Sequence, residues 1–152
     1  MPLPRPEPAQ SHRLCAEARA VRAALELLAA GPVLRALPPD QRDAALLVLA
    51  EVMNNVVEHG YGGQSGQIRL SLRARGAELR ARVIDRGRPF SGGVLPLGAM
   101  PPPDSLPEGG FGWAMIRQIA CNLRLDRRRD CNVLSFLVPP NAGAVDSGAW
   151  TQ

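Results

Sequence analysis

The stretch Glu51–Tyr61, EVMNNVVEHGY, sets a polar ladder into an otherwise apolar helix. Glu51, Asn55 and His59 recur at every fourth residue. At 3.6 residues per turn such positions drift by only about 40° per step, so the three share one face. Val52, Met53, Val56 and Val57 beside them are apolar. A carboxylate and an amide are costly to bury without a partner. Either the stripe faces solvent or something polar lies against this helix, and the choice largely decides the function.

Outward from the ladder, Pro38-Pro39-Asp40 opens this helix, with Asp40 a candidate N-cap and Asp43 suited to the first turn. Gly60 and Gly62 end it near Glu58 or His59. Upstream, Leu14, Ala18, Val21, Leu25 and Leu28 recur at helical spacing, which predicts an amphipathic helix from Ser11 to Ala30, closed by Gly31-Pro32. Downstream, Ile68, Leu70 and Leu72 alternate with Arg69, Ser71 and Arg73. After Gly76, Leu79, Ala81 and Val83 alternate with Arg80 and Arg82, which predicts a hairpin. Residues 86–110 are rich in glycine and proline and carry no element, and a loop of that length is often functional. A short helix over Gly112–Ala120 and strands near Leu123–Arg127 and Asn132–Val138 follow. Helices on one face of a mostly antiparallel sheet make an α+β, two-layer α/β sandwich. The other sheet face would carry Arg69, Arg73, Arg80, Arg82 and Arg124, a solvated face that accounts for the basic charge without any ligand.

The 152 residues suit a single domain over 11–140, between flexible tails at 1–10 and 141–152. Hydrophobic content of 45% and charged content of 21% are ordinary for a globular chain. No apolar run is long enough to span a bilayer, and MPLPRPEPAQ lacks a signal-peptide core, so a cytoplasmic location without membrane contact is expected. The net charge of +4 comes from arginine alone, because the chain has no lysine. With aromatics at 4%, and arginines alternating along strands, direct nucleic-acid binding is not expected. Cys15, Cys121 and Cys131 have no metal-like spacing and are expected as reduced, semi-buried thiols.

Three distant segments carry chemistry. In the ladder, Asn55 can offer a neutral oxygen to magnesium, and Glu51 can accept a proton. In VIDRGRPF, Val83–Phe90, Asp85 ends an apolar strand; it is either a plain turn residue or a buried carboxylate for a ligand amino group, with Gly87 letting a flat ring approach. In EGGFGWAMI, Glu108–Ile116, glycines precede a helix, where bare amides can bind an anion. No strand precedes the run and no Gly-Lys-Ser/Thr follows, which disfavours dinucleotide-binding and Walker motifs.

Together, in this order and spacing, the three resemble the GHKL superfamily of ATP-binding domains, which implies the Bergerat-type fold. Its N box corresponds to Glu51 and Asn55, its aspartate-glycine box to Asp85 and Gly87, its glycine box to Gly110 and Gly112, and its ATP lid to about Arg88–Glu108. Within it the chain is most similar to the small bacterial anti-sigma factors that are serine/threonine kinases. They share its short size and the phrase Glu51, Asn55, His59, Gly60, Tyr61. The resemblance implies ATP and Mg2+ as cofactors, with Asn55 the metal ligand, Asp85 reading the adenine amino group, and the backbone at Gly110, Phe111 and Gly112 facing the phosphates. Glu51 is implied as general base toward a partner's hydroxyl, and His59 as a neighbour of the nucleotide.

The implied partners are a sigma factor and an anti-sigma-factor antagonist phosphorylated on Ser or Thr, with a homodimer suggested by relatives. A non-catalytic ATP-binding regulator and a detached histidine-kinase-type catalytic domain are the alternatives. Two positions depart from the family pattern. Glu108 stands where some members carry a basic residue, and Cys131-Asn132 replaces the usual Gly-Thr, with Asn132 a substitute for the threonine's hydrogen bond. Both bear on turnover more than on nucleotide binding.

Overall fold

The computed structural model describes residues 1–98 and 112–142. Chain order is β1 (Ala9–Cys15), α1 (Ala18–Ala30), the single turn α2 (Pro32–Arg35), α3 (Pro39–Asn55), β2 (Gln67–Arg75), β3 (Glu78–Asp85), α4 (Gly112–Ile119), β4 (Cys121–Arg128) and β5 (Cys131–Val138). The five strands form one antiparallel sheet in the order β1-β2-β3-β5-β4. With the helices this is the α+β two-layer sandwich that the residue pattern predicts. None of the described helices is long and apolar enough to cross a membrane.

Periodicity explains which faces meet. The strands bury every second residue: Ile68, Leu70, Leu72 and Ala74 in β2, then Leu79, Ala81, Val83 and Asp85 in β3. The helices bury residues at spacings of three and four, with Val21, Ala24 and Leu28 in α1 and Val48, Leu49, Val52 and Met53 in α3. Each large side chain buried this way contributes about 1.5–3 kcal/mol. One polar group joins this layer. Gln41, fully buried near the start of α3, donates from Nε2 to the carbonyls of Ala77 at 2.8 Å and Val138 at 3.1 Å. It clamps the helix to the β2–β3 turn and to the end of β5.

The structure corrects the sequence reading at the N-terminal side. Ser11–Cys15 is not helical; with Ala9 and Gln10 it forms β1, paired with β2 from Ala9↔Arg73 to Cys15↔Gln67. Leu14 happens to lie four residues before Ala18 and so mimics a helical stripe. Pairing with β2 satisfies the backbone instead, which is a tertiary override of local pattern. Asp40 does not cap α3: Pro39 takes the first helical position and Asp40 sits inside the first turn. Cys15 and Cys121 are exposed rather than semi-buried, and all three thiols are free.

Replacing Gln41 by Leu keeps its bulk but leaves two carbonyls without their donor. A loss of about 1–3 kcal/mol is expected in urea unfolding, with the far-ultraviolet spectrum unchanged.

Candidate nucleotide site

Asp85 is buried because of its phase. It occupies the last inward position of β3, after Leu79, Ala81 and Val83, and is 5% exposed. In register it lies opposite Asn132 of β5. Its Oδ1 accepts from the Gly87 N–H at 2.8 Å and from Asn132 Nδ2 at 3.0 Å. Among the described residues no donor reaches Oδ2, which leaves that oxygen to a ligand. Asn132 Nδ2 also donates to the Arg88 carbonyl at 2.9 Å. Arg127 fixes the amide's orientation by donating to Asn132 Oδ1 at 2.9 Å and to the Gly87 carbonyl at 3.1 Å. Asn132 thus holds Asp85 and the segment after it, and Arg127, which the sequence does not single out, holds Asn132. Its strand partner across the β4–β5 hairpin is Asn132, a register that the sequence does not print.

The end of α3 is pressed onto this strand end. Beyond Asn55 the winding widens into a π-helical turn, Val56–Gly60, closed by Tyr61 N–H donating to the Val56 carbonyl at 2.9 Å. Such turns are rare and cluster at functional sites. The ladder's period breaks there. Glu51 and Asn55 stay half-buried, whereas the His59 side chain is 77% exposed and lies 3.8 Å from the Glu58 carboxylate. Gly60 then meets Gly87: a Cβ on Gly87 would lie 2.6 Å from the Gly60 carbonyl carbon. Arg88 N–H donates to the Gly60 carbonyl at 2.8 Å. Tyr61 ties the start of β2 to the residue that follows β3, donating to the Gln67 carbonyl at 2.7 Å and accepting from Arg86 N–H at 2.8 Å.

The N-terminal end of α4 closes the site. A Cβ on Gly112 would stand 2.6 Å from Glu51 Oε2 and 3.7 Å from Asn55 Nδ2. The bare glycine is what admits the Glu51 carboxylate to the start of this helix, whose positive end favours it, while Asn55 lies at ordinary contact distance. Among the described residues Asn55 Nδ2 is buried without a hydrogen-bond partner. An orphaned buried amide is unusual and marks a place where a ligand or water completes the site.

These parts enclose a cavity of about 450 Å³, a size suited to a small-molecule ligand. Val52, Val56, Val83 and Leu134 give it apolar walls, and Asn55, Asp85 and Asn132 are its polar points. His59, Arg88 and Gly112 also line it. Glu51 stands beside Gly112 and Gly87 behind Gly60, one layer back from the lining. Phe90 and Trp113 meet edge to face on the lining, with centroids 5.9 Å apart. Gly110, Phe111 and Glu108 lie outside the described residues, as does the lid beyond Gly98. Among the described residues no three His, Cys, Asp or Glu side chains group as a metal site. A cation here would take one protein oxygen and find its other ligands on phosphate and water, as magnesium commonly does.

An apolar slot with a buried strand-end carboxylate, a helical asparagine and a glycine-opened helix is the arrangement on which the sequence comparison bears. The sequence model of the histidine kinase-like ATPase domain matches residues 14–137. The chain belongs to that family. In fold it is similar to the crystal structure of the RsbU and RsbW domains of Rv1364c from Mycobacterium tuberculosis, with a TM-score of 0.57 and 24% identity. The match covers 88% of this chain and 33% of that one, so the chain spans about a third of that structure's length. No curated protein matches it.

The two glycines separate packing from chemistry. Gly87→Ala forces backbone against backbone and is expected to destabilise by about 1–3 kcal/mol. Gly112→Ala meets only the movable end of Glu51, so thermal unfolding is expected within about 1 kcal/mol of wild type, with the Glu51 carboxylate displaced from α4.

Proposed function

We propose that the chain is an ATP-binding anti-sigma factor and serine/threonine protein kinase, which phosphorylates an anti-sigma-factor antagonist and regulates transcription by switching between partners. The observation that carries this reading is the convergence of the Glu51 carboxylate and the orphaned Asn55 amide on the bare start of α4, beside the cavity that holds Asp85. Membership of the ATPase family supports the nucleotide, and the phrase from Glu51 to Tyr61 supports the subtype.

Asp85 accepts the adenine amino group on Oδ2, the oxygen left open by Gly87 and Asn132. Asn55 presents its amide to the phosphate side, where its oxygen would hold Mg2+. The metal, when bound, neutralises phosphate charge. The start of α4 contributes its positive end to the same charge. Glu51 accepts the proton of the partner's Ser or Thr hydroxyl as that oxygen bonds to the terminal phosphorus. The bond from that phosphorus to the bridging oxygen breaks, and ADP leaves. Transfer of this kind needs mostly positioning and charge neutralisation, so this small set of side chains suffices.

A second reading, an ATP-binding regulator without turnover, is favoured by one fact: Glu51 lies outside the cavity lining, packed on Gly112. In that case Glu51 would be dispensable while Asp85 and Asn55 would not.

Calorimetry with ATP and magnesium is expected to show binding that Asp85→Asn weakens at least about tenfold, the loss of one charge-assisted hydrogen bond. Affinity unchanged in that variant would remove the nucleotide assignment. Glu51→Ala is expected to retain ATP affinity and lose transfer of labelled phosphate to an antagonist protein by about 10²–10⁴-fold. Label stable to acid and lost in alkali identifies a Ser or Thr acceptor; the reverse stability would indicate histidine.

A further inference from the structure

The sheet face turned away from the helices carries an arrangement that the nucleotide site does not use. Strand register sets Arg13 directly opposite Arg69 and Arg73 directly opposite Arg80. Like charges directly opposite destabilise a sheet. Arg82 lies between Ser71 and Ser135 in neighbouring strands, and Arg124 lies opposite Ser135 on its other side. All six arginines are exposed. A shallow trough of about 550 Å³ runs among Arg73, Arg80, Arg82 and Arg124 and the hydroxyls of Ser11, Ser71 and Ser135, and no carboxylate lines it. Asp126, two residues along β4 from Arg124, makes no salt bridge to these arginines; the one ion pair among the described residues joins His59 and Glu58.

We infer that this face is a docking surface for an acidic segment of a partner protein. Planar guanidinium groups bind carboxylates two bonds at a time, and the trough offers four of them on a rigid frame. An acidic segment would convert a repulsive array into paired charge. A second copy of this chain does not fit, because a two-fold stacking of this face would set the same arginines against themselves. Nucleic acid fits poorly as well. Phe136 of the trough is buried at 2% exposure and points to the core side, so no aromatic platform is available for stacking bases. A flat five-stranded face also enters neither groove of a duplex, which admits a helix or a two-stranded ribbon. The surface lies across the sheet from the nucleotide cavity, so this inference stands independently of the kinase reading.

The test uses the full chain and fluorescence anisotropy, with a labelled oligo-glutamate peptide as probe and duplex DNA of equal charge as competitor. The peptide is expected to bind, and to weaken at least about tenfold both in high salt and in the double variant Arg80→Gln, Arg82→Gln. The melting temperature of that variant should hold or rise, since a repulsive pair is relieved. Arg82→Glu, which lowers the charge of the trough by the same two units as the double variant, should weaken the glutamate peptide to a similar extent. Arg19→Gln, on α1, should change nothing. Three results would overturn the inference: peptide affinity indifferent to Arg80 and Arg82, DNA bound more tightly than peptide and lost in the same variant, or a wild-type dimer that those substitutions dissolve.

Discussion

Gly60 and Gly87 meet backbone against backbone, with Arg88 N–H bonded to the Gly60 carbonyl at 2.8 Å. This contact brings the end of the helix layer to the end of the sheet. Neither residue has a side chain to hold the two apart, and the π-helical turn supplies the extra residue that lets the helix reach. Asp85, Asn55 and the apolar walls between them face one cavity only because of that junction. Tyr61 reinforces it with two hydrogen bonds, one to the start of β2 and one to the residue just past β3.

Around the junction, polar groups are arranged in pairs of unequal commitment. Asp85 Oδ1 is saturated by Gly87 and Asn132, and Arg127 holds Asn132 in turn. That chain of donors fixes a buried carboxylate as an acceptor without filling its second oxygen. Asn55 is the opposite case, a buried amide with a donor left over. Of the buried side-chain atoms without a partner among the described residues, Gln10 Oε1, Gln41 Oε1 and Asn55 Nδ2, only the last belongs to a residue that lines the cavity. Glu51, pressed onto Gly112, links that site to the start of α4, where the described residues resume.

Much of this was legible in the residues. Alternation in β2 and β3, the helical spacing of α3 and the glycine at the β2–β3 turn predict the sandwich because period 2 and period 3.6 leave few ways to bury both stripes. Asp85 falls in phase with Leu79, Ala81 and Val83, which leaves open a turn residue or a buried carboxylate; the packing of the α3 end over the strand end makes it buried. The ladder was legible as far as Asn55 and not beyond, because no local pattern announces a π-helical turn. β1 was misread because Leu14 sits at a helical spacing from Ala18, and an edge strand seven residues long has too little periodicity to contradict it. Arg127 was invisible as a site residue, since it is one of several arginines on its hairpin and only the pairing of β4 with β5 brings it to Asn132.

Residue periodicity alone yields the two layers, the place of Asp85 at the end of an inward-facing alternation, and the company of Glu51 and Asn55 on one helix. These depend on periodicity, which is a property of neighbouring residues. The tertiary structure decided which strands pair and in what register, and with that the hold of Asn132 on Asp85. Register decided the outer face too: alternation alone gives a solvated stripe of arginines, while pairing sets Arg73 against Arg80 and Arg13 against Arg69. The physical reason is the same in each case. Side-chain direction is fixed by the local backbone, whereas the identity of the group it meets is fixed by chain segments tens of residues away.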